Sequence, residues 1–205
     1  VAGATLPVPE GFASASVNAP VAGQWNLDLL SLRAWAQPCL ASLHEDLAVL
    51  DRYGVRAGRA IVQRLDLDDK SGAGVVSLDL VHSRYFTNRL DDIPMRSSME
   101  RDKKFGPVAG HTIAIPFVAT VDYVLNDKQA FVAMGDGLLG RVIGSGKGVP
   151  GPIAAIDLFP PMLTLDTWKG LLEMADLPES LAERLLRWRE GHISIAIDGT
   201  NLVLA

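Results

Sequence analysis

Two glycine-rich stretches and one basic segment hold the residue types best suited to chemistry. In residues 131–143, FVAMGDGLLGRVI, Gly135, Gly137 and Gly140 stand in G-x-G-x-x-G spacing between a strand-like run and a short helical run. At a dinucleotide site such glycines let the backbone approach a pyrophosphate at a helix N-terminus. Asp157, after the apolar run 153–156, stands about where a ribose-binding acid would belong. Other features oppose that chemistry. A crossover helix would have to pass through GSGKGVPG, residues 144–151, where glycine and proline disfavour helix. Asp136 places a carboxylate where phosphate charge would sit. A tight strand-to-helix turn is the first reading. A nucleotide- or dinucleotide-dependent enzyme using Gly135, Gly137, Gly140 and Asp157 is the alternative.

The remaining motifs are weaker. Residues 140–147 fail as a phosphate loop, because Arg141 replaces the first glycine and Gly148 the magnesium-binding hydroxyl. Asp66, Asp68 and Asp69 suggest a calcium loop, but Lys70 takes a ligand position, so a solvated hairpin end is expected. His44, His82, His111 and His192 are scattered without ligand spacing, and no G-x-S-x-G elbow exists. No metal, cofactor or catalytic residue is therefore expected. Cys39, the single cysteine, excludes an intrachain disulfide and reads as a small buried apolar residue rather than a nucleophile. Arg84, Arg89, Arg96, Arg101, Lys103 and Lys104 concentrate the basic charge. They read as a solvated face or as a docking segment for an acidic partner or anionic head group.

The elements that would position these residues follow from periodicity. Residues 1–24, small and almost uncharged, read as a loosely packed lead-in. Residues 25–35 read as a helix, and a second helix opens at Pro38, carries Leu40, Leu43, Leu47 and Leu50, and stops at Gly54. Alternation over 61–68 and 76–81 predicts a hairpin. Residues 88–110 read as a long polar connection with one helical turn. Ile113, Ile115, Phe117, Ala119, Val121, Tyr123 and Leu125 mark the core face of one long strand, which turns at 126–128 and returns over 129–134. A short helix over 137–143, an irregular loop over 144–151 and a strand over 153–158 follow. Asp166 reads as the N-cap of a helix carrying Trp168, Leu171, Leu172 and Met174. Leu177-Pro178 interrupts it, and Leu181, Leu185, Leu186 and Trp188 form the next apolar face, with the tryptophans read as core. Residues 192–205 predict a third hairpin around Asp198-Gly199.

The fold class expected is α+β: three antiparallel β-hairpins forming one or two sheets, covered on one face by three to four helices. Residues 25–205 would form a single domain, with a subdivision possible near 105–110. Of 205 residues, 48% are hydrophobic and 21% charged, a balance that fits a folded domain. A net charge of -5, with acids and bases interspersed, leaves no basic stripe for a phosphate backbone, so no nucleic-acid partner is expected. No apolar run is long enough to span a bilayer. The opening VAGATLPVPEG, without Met, and the apolar end LVLA suggest a piece of a longer chain.

The cadence of YVLNDKQAFVAM, DGLLGRVI and HISIAIDGTNLVLA resembles that of bacterial envelope proteins built from strand–turn–strand and helix units. That resemblance implies an extracytoplasmic, periplasmic location, with the cytoplasm as the alternative. The function expected is a non-catalytic binding or assembly domain of a larger envelope protein. Its partner would be a protein or an apolar small molecule such as a lipid.

Overall fold

Ten strands, each antiparallel to its neighbours, form one sheet that carries most of the chain. The computed structural model describes residues 5–17, 19–36, 48–66, 71–115, 119–135, 137–143, 148–174, 176–198 and 201–204. The first half holds β1 (Val8–Pro9), α1 (Glu10–Ser16), β2 (Val21–Trp25), α2 (Leu29–Ala36), α3 (Ala48–Tyr53), β3 (Val55–Asp66), β4 (Ser71–Leu80), α4 (Arg84–Asp91) and α5 (Arg96–Met99). The second half holds β5 (Glu100–Phe105), β6 (Val108–Ile115), β7 (Ala119–Leu125), β8 (Gln129–Met134), α6 (Leu138–Ile143), β9 (Gly148–Val149), β10 (Ala154–Leu158), α7 (Leu165–Met174), α8 (Ser180–Leu185), β11 (Gly191–Asp198) and β12 (Asn201–Leu204). The sheet order is β12-β11-β10-β2-β3-β4-β8-β7-β6-β5, and β1 pairs with β9 apart from it. The α+β class and its antiparallel hairpins stand. No helix among the described residues is long and apolar enough to cross a membrane.

Directly opposed residues on neighbouring strands share a face, so the register separates two faces. On the first, Ala22, Ile61, Val75 and Ala133 lie opposite one another, and all are buried. Helices α1 and α6 cover it, with Phe12, Leu138, Leu139, Val142 and Ile143 completing the main core. On the second face the helices stand at the two ends. Trp168, Leu172 and Ala182 from α7 and α8 pack near Val21, Leu65 and Leu158 at one end. At the other, Leu29 and Leu50 pack beside Trp25, and Phe86 from α4 packs beside Leu80 and Ala130. Helices thus occur on both faces, not on one as expected.

Several expectations are corrected. The supposed lead-in is integral: β2 pairs with β3 and β10 inside the sheet, while Val8, Phe12, Ala19 and Ala22 are buried. Its small residues allow close packing. A Cβ added at Gly11 would lie 2.1 Å from the Arg141 carbonyl oxygen. The helix expected over 25–35 begins only at Leu29, because Trp25 belongs to β2. Of the second helix, residues 48–53 are described, ending at Gly54 with φ +70°, while Cys39 and residues 67–70 lie outside the described residues.

The supposed connection over 88–110 contains α5, β5 and much of β6. Glu100 to Lys104 are charged throughout, so no apolar alternation marks β5; it is an edge strand, where charge discourages further pairing. The long strand over 113–125 is two strands, β6 and β7, paired with each other. Pro116 separates them and has no N–H to donate to a ladder. Ile113 and Tyr123 are buried, but Ile115 is exposed; Phe117 lies outside the described residues. A register shift between Val62 and Arg64 puts Leu65 on the face opposite to Ile61. Residues 148–149 of the supposed irregular loop pair with β1. The cap of α7 is Thr164, whose Oγ1 accepts from Thr167 N at 3.2 Å, rather than Asp166. Trp188 is 54% exposed and not core, whereas Trp168 is buried and donates to the Pro160 carbonyl at 3.0 Å.

Candidate functional site

The second face of the sheet carries one uninterrupted row of opposed residues: Ile193, Ile156, Gly23, Ala60, Val76, Val132, Tyr123 and His111. Six strands, from β11 to β8, contribute only aliphatic or small residues to it. Period-two alternation produces such a row whenever each strand reserves one parity for apolar side chains. In most sheets the apolar side is the covered side. Here both sides are apolar, and the helices α1 and α6 take the other one. Ile193 is 61% exposed, Ile156 52%, Val132 45% and Val76 42%, while Met134 and Ile115 add exposed apolar surface nearby. A contiguous exposed apolar face of this kind marks a binding groove more often than a random surface.

Two hollows occupy that face. The wider one, of about 590 Å³, lies over β2, β3, β4, β10 and β11 and is lined by Gly23, Trp25, Ala60, Val76, Ile156 and Ile193 among others. The narrower one, of about 270 Å³, lies between α4 and strands β6, β7 and β8. Phe86 and Leu90, four residues apart, lie on one stripe of α4, and Ile93 follows just beyond the end of the helix. They roof this cleft above Ile113, Val121, Tyr123, Leu125 and Val132. Val132, in the narrower hollow, is the direct cross-strand partner of Val76, in the wider one. The two hollows therefore adjoin.

A polar cluster stands where the row reaches β7 and β6. The Tyr123 hydroxyl donates to Glu100 Oε1, and Arg96 Nη2 donates to both Glu100 Oε1 at 3.0 Å and the Tyr123 oxygen at 2.9 Å. His111 stacks on Tyr123 with ring centroids 5.2 Å apart. Arg89 borders the narrow cleft. Its Nε lies 3.4 Å from the Tyr85 hydroxyl, which raises the guanidinium pKa above its ordinary value.

The structure does not unite the nucleotide constellation. Gly135 and Gly137 adopt φ of +108° and +70° in a tight turn after β8, as the first reading expected. The helix that follows, α6, runs six residues and is buried against the core, and β8 is antiparallel to both neighbours, so no βαβ unit exists here. A Cβ added at Gly140 would meet nothing within 4 Å, so no close backbone approach requires that glycine. Asp157 lies on β10, four strand spacings or about 19 Å from β8, with His192 Nδ1 at 2.5 Å from its Oδ1.

The basic residues spread over three elements: Arg84 and Arg89 on α4, Arg96 on α5, and Arg101, Lys103 and Lys104 on β5. Lys103 is paired with the buried Asp122 at 2.7 Å, and Arg96 with Asp91 and Glu100, so they form no single cationic patch. Of the six, only Arg89 lines either of these two hollows. Sequence reading missed that α4 is amphipathic. The signal is present in Phe86 and Leu90, four residues apart, and is masked by the surrounding charges.

No family model matches this chain, and no curated protein matches it. Among solved structures, the chain is similar to TP0453 in crystal forms III and IV. The identities are 10% and 11%, the TM-scores 0.39 and 0.41, and the alignments cover 96% and 97% of this chain and 77% and 79% of that one.

Proposed function

We propose that the chain is a non-catalytic binding protein whose open sheet face holds an apolar ligand with an aliphatic chain. One observation carries this reading: six neighbouring strands present only aliphatic or small residues along a single row, and among the described residues no element covers its middle. Water against such a surface is released when an apolar chain covers it, at about 25 cal/mol per Å² of apolar area. An extracytoplasmic location, drawn from the cadence of the second half of the sequence, belongs to the same proposal.

The test uses N-phenyl-1-naphthylamine, whose fluorescence rises in apolar surroundings. Wild-type protein is expected to enhance it saturably. The variant Val76→Thr/Ile156→Thr/Ile193→Thr keeps β-branched side chains in the strands and should weaken binding by about tenfold or more. Absence of enhancement by the wild type, or equal binding by the variant, would overturn the proposal. Self-association that the probe cannot reverse would instead favour a protein partner on this face.

A further inference from the structure

We infer that the ligand of the open face is a single-chain amphiphile with an anionic head group, its head on Arg89 and its chain running beneath α4 toward β11. This rests on the apolar-ligand reading above and adds charge and direction to it. Among the described residues that line the narrow cleft, Arg89 is the one that is charged; the others are aliphatic or aromatic. Its guanidinium is loosely engaged. Nε lies 3.4 Å from the Tyr85 hydroxyl, Nη1 lies 3.8 Å from Asp92 Oδ2, and the side chain is 66% exposed. Both distances are at the outer edge of useful interaction. Asp92 is itself 70% exposed, so losing Arg89 to a ligand would leave no buried acid unpaired.

The planar fork of arginine fits the paired oxygens of a carboxylate or phosphate. The Tyr85 ring, 5.6 Å from the Arg89 guanidinium carbon, helps hold it at the cleft. Glu100, in the neighbouring polar cluster, already accepts from Tyr123 and Arg96. The cleft of about 270 Å³ is smaller than the roughly 300 Å³ at which drug-sized sites begin. A longer chain must continue past Val132 onto Val76 and Ile156, and the adjoining hollow provides that path.

The experiment displaces N-phenyl-1-naphthylamine with dodecanoate, dodecyl phosphate, dodecanol and dodecyltrimethylammonium, each below its micelle concentration. Wild type should prefer one or both anions to dodecanol by about tenfold or more. Preference for one anion over the other identifies a carboxylate or a phosphate head. Arg89→Gln should abolish the preference while leaving dodecanol affinity within about twofold. Arg89→Lys should restore part of it. Arg141→Gln, on α6 over the opposite face, should retain all of it. Dodecanol binding as tightly as the anions, or an anion preference surviving in Arg89→Gln, overturns this inference and leaves the apolar-ligand reading intact. Failure of all four to displace the probe overturns both.

Discussion

Asp28 accepts Arg56 Nε at 2.9 Å and Nη2 at 2.6 Å, and the same carboxylate accepts Leu30 N and Ser31 Oγ at the start of α2. It is at once a helix cap and half of a bidentate ion pair. The Arg56 guanidinium, above all, holds its carboxyl below the ordinary 3.8. For an acid whose folded pKa is depressed, the stabilisation is complete above the unfolded value and is lost as pH falls toward the folded one. Chemical denaturation should therefore show Asp28→Asn losing less stability than wild type on acidification below about pH 4; superimposable acid limbs would contradict this. Arg59 makes a stronger claim on the core. Its side chain is fully buried, with Nε donating to Asn26 Oδ1 at 2.7 Å, Nη1 to Asp79 Oδ2 at 2.8 Å and Nη2 to the Pro7 carbonyl at 3.0 Å. These bonds fasten the N-terminal segment to β3 and β4. Arg59→Met removes the partner of Asn26 Oδ1, Asp79 Oδ2 and the Pro7 carbonyl, and should cost roughly 3–5 kcal/mol in a urea melt; a cost under about 1 kcal/mol would show the network to be dispensable.

Helices α1 and α6 cross where Gly11 meets the Arg141 and Val142 carbonyls, and a Cβ there would lie 2.1 and 2.5 Å from their oxygens. Those atoms are backbone and cannot swing aside. Gly11→Ala should therefore destabilise by about 1–3 kcal/mol, the usual cost of overpacking. Gly140 lies in α6 itself and has open space at its Cβ position. There the same substitution should stabilise by about 0.4–1 kcal/mol, by restricting the unfolded chain. Thermal melts of the two variants should thus shift in opposite directions. A shift of both downward would mean that the G-x-G-x-x-G turn needs its third glycine for a reason other than space.

Among the described residues, the sheet as a whole has one face covered by its own helices and one face open along its middle. Identical chemistry on the two faces should have different consequences. Ile61, 1% exposed on the covered face, should cost about 2 kcal/mol or more when changed to Thr, because a hydroxyl replaces packed methyl surface. Ile156, 52% exposed on the open face, should change stability by less than about 0.5 kcal/mol in the same substitution. Equal costs would mean that something in the free protein covers the open face.

Local sequence determined the elements whose physics is local. Gly54 ends α3 because a positive φ favours a residue without Cβ. The hairpin of β3 and β4 is legible in its alternation, apart from the register shift after Val62, and that of β11 and β12 in its Asp198-Gly199 pair. The turn at Gly135 and Gly137 was legible in its glycines. Tertiary structure alone decided what covers what. The alternation of Val76, Leu78 and Leu80 announces an apolar side of β4, but only the sheet order shows that α1 and α6 pack on the other side, against Val75. The small residues of α1 are equally consistent with a loose tail and with a tight helix crossing; the carbonyls of α6, some 130 positions away in sequence, select the second. A side chain's periodicity fixes its direction, while its burial depends on partners brought to it from remote positions.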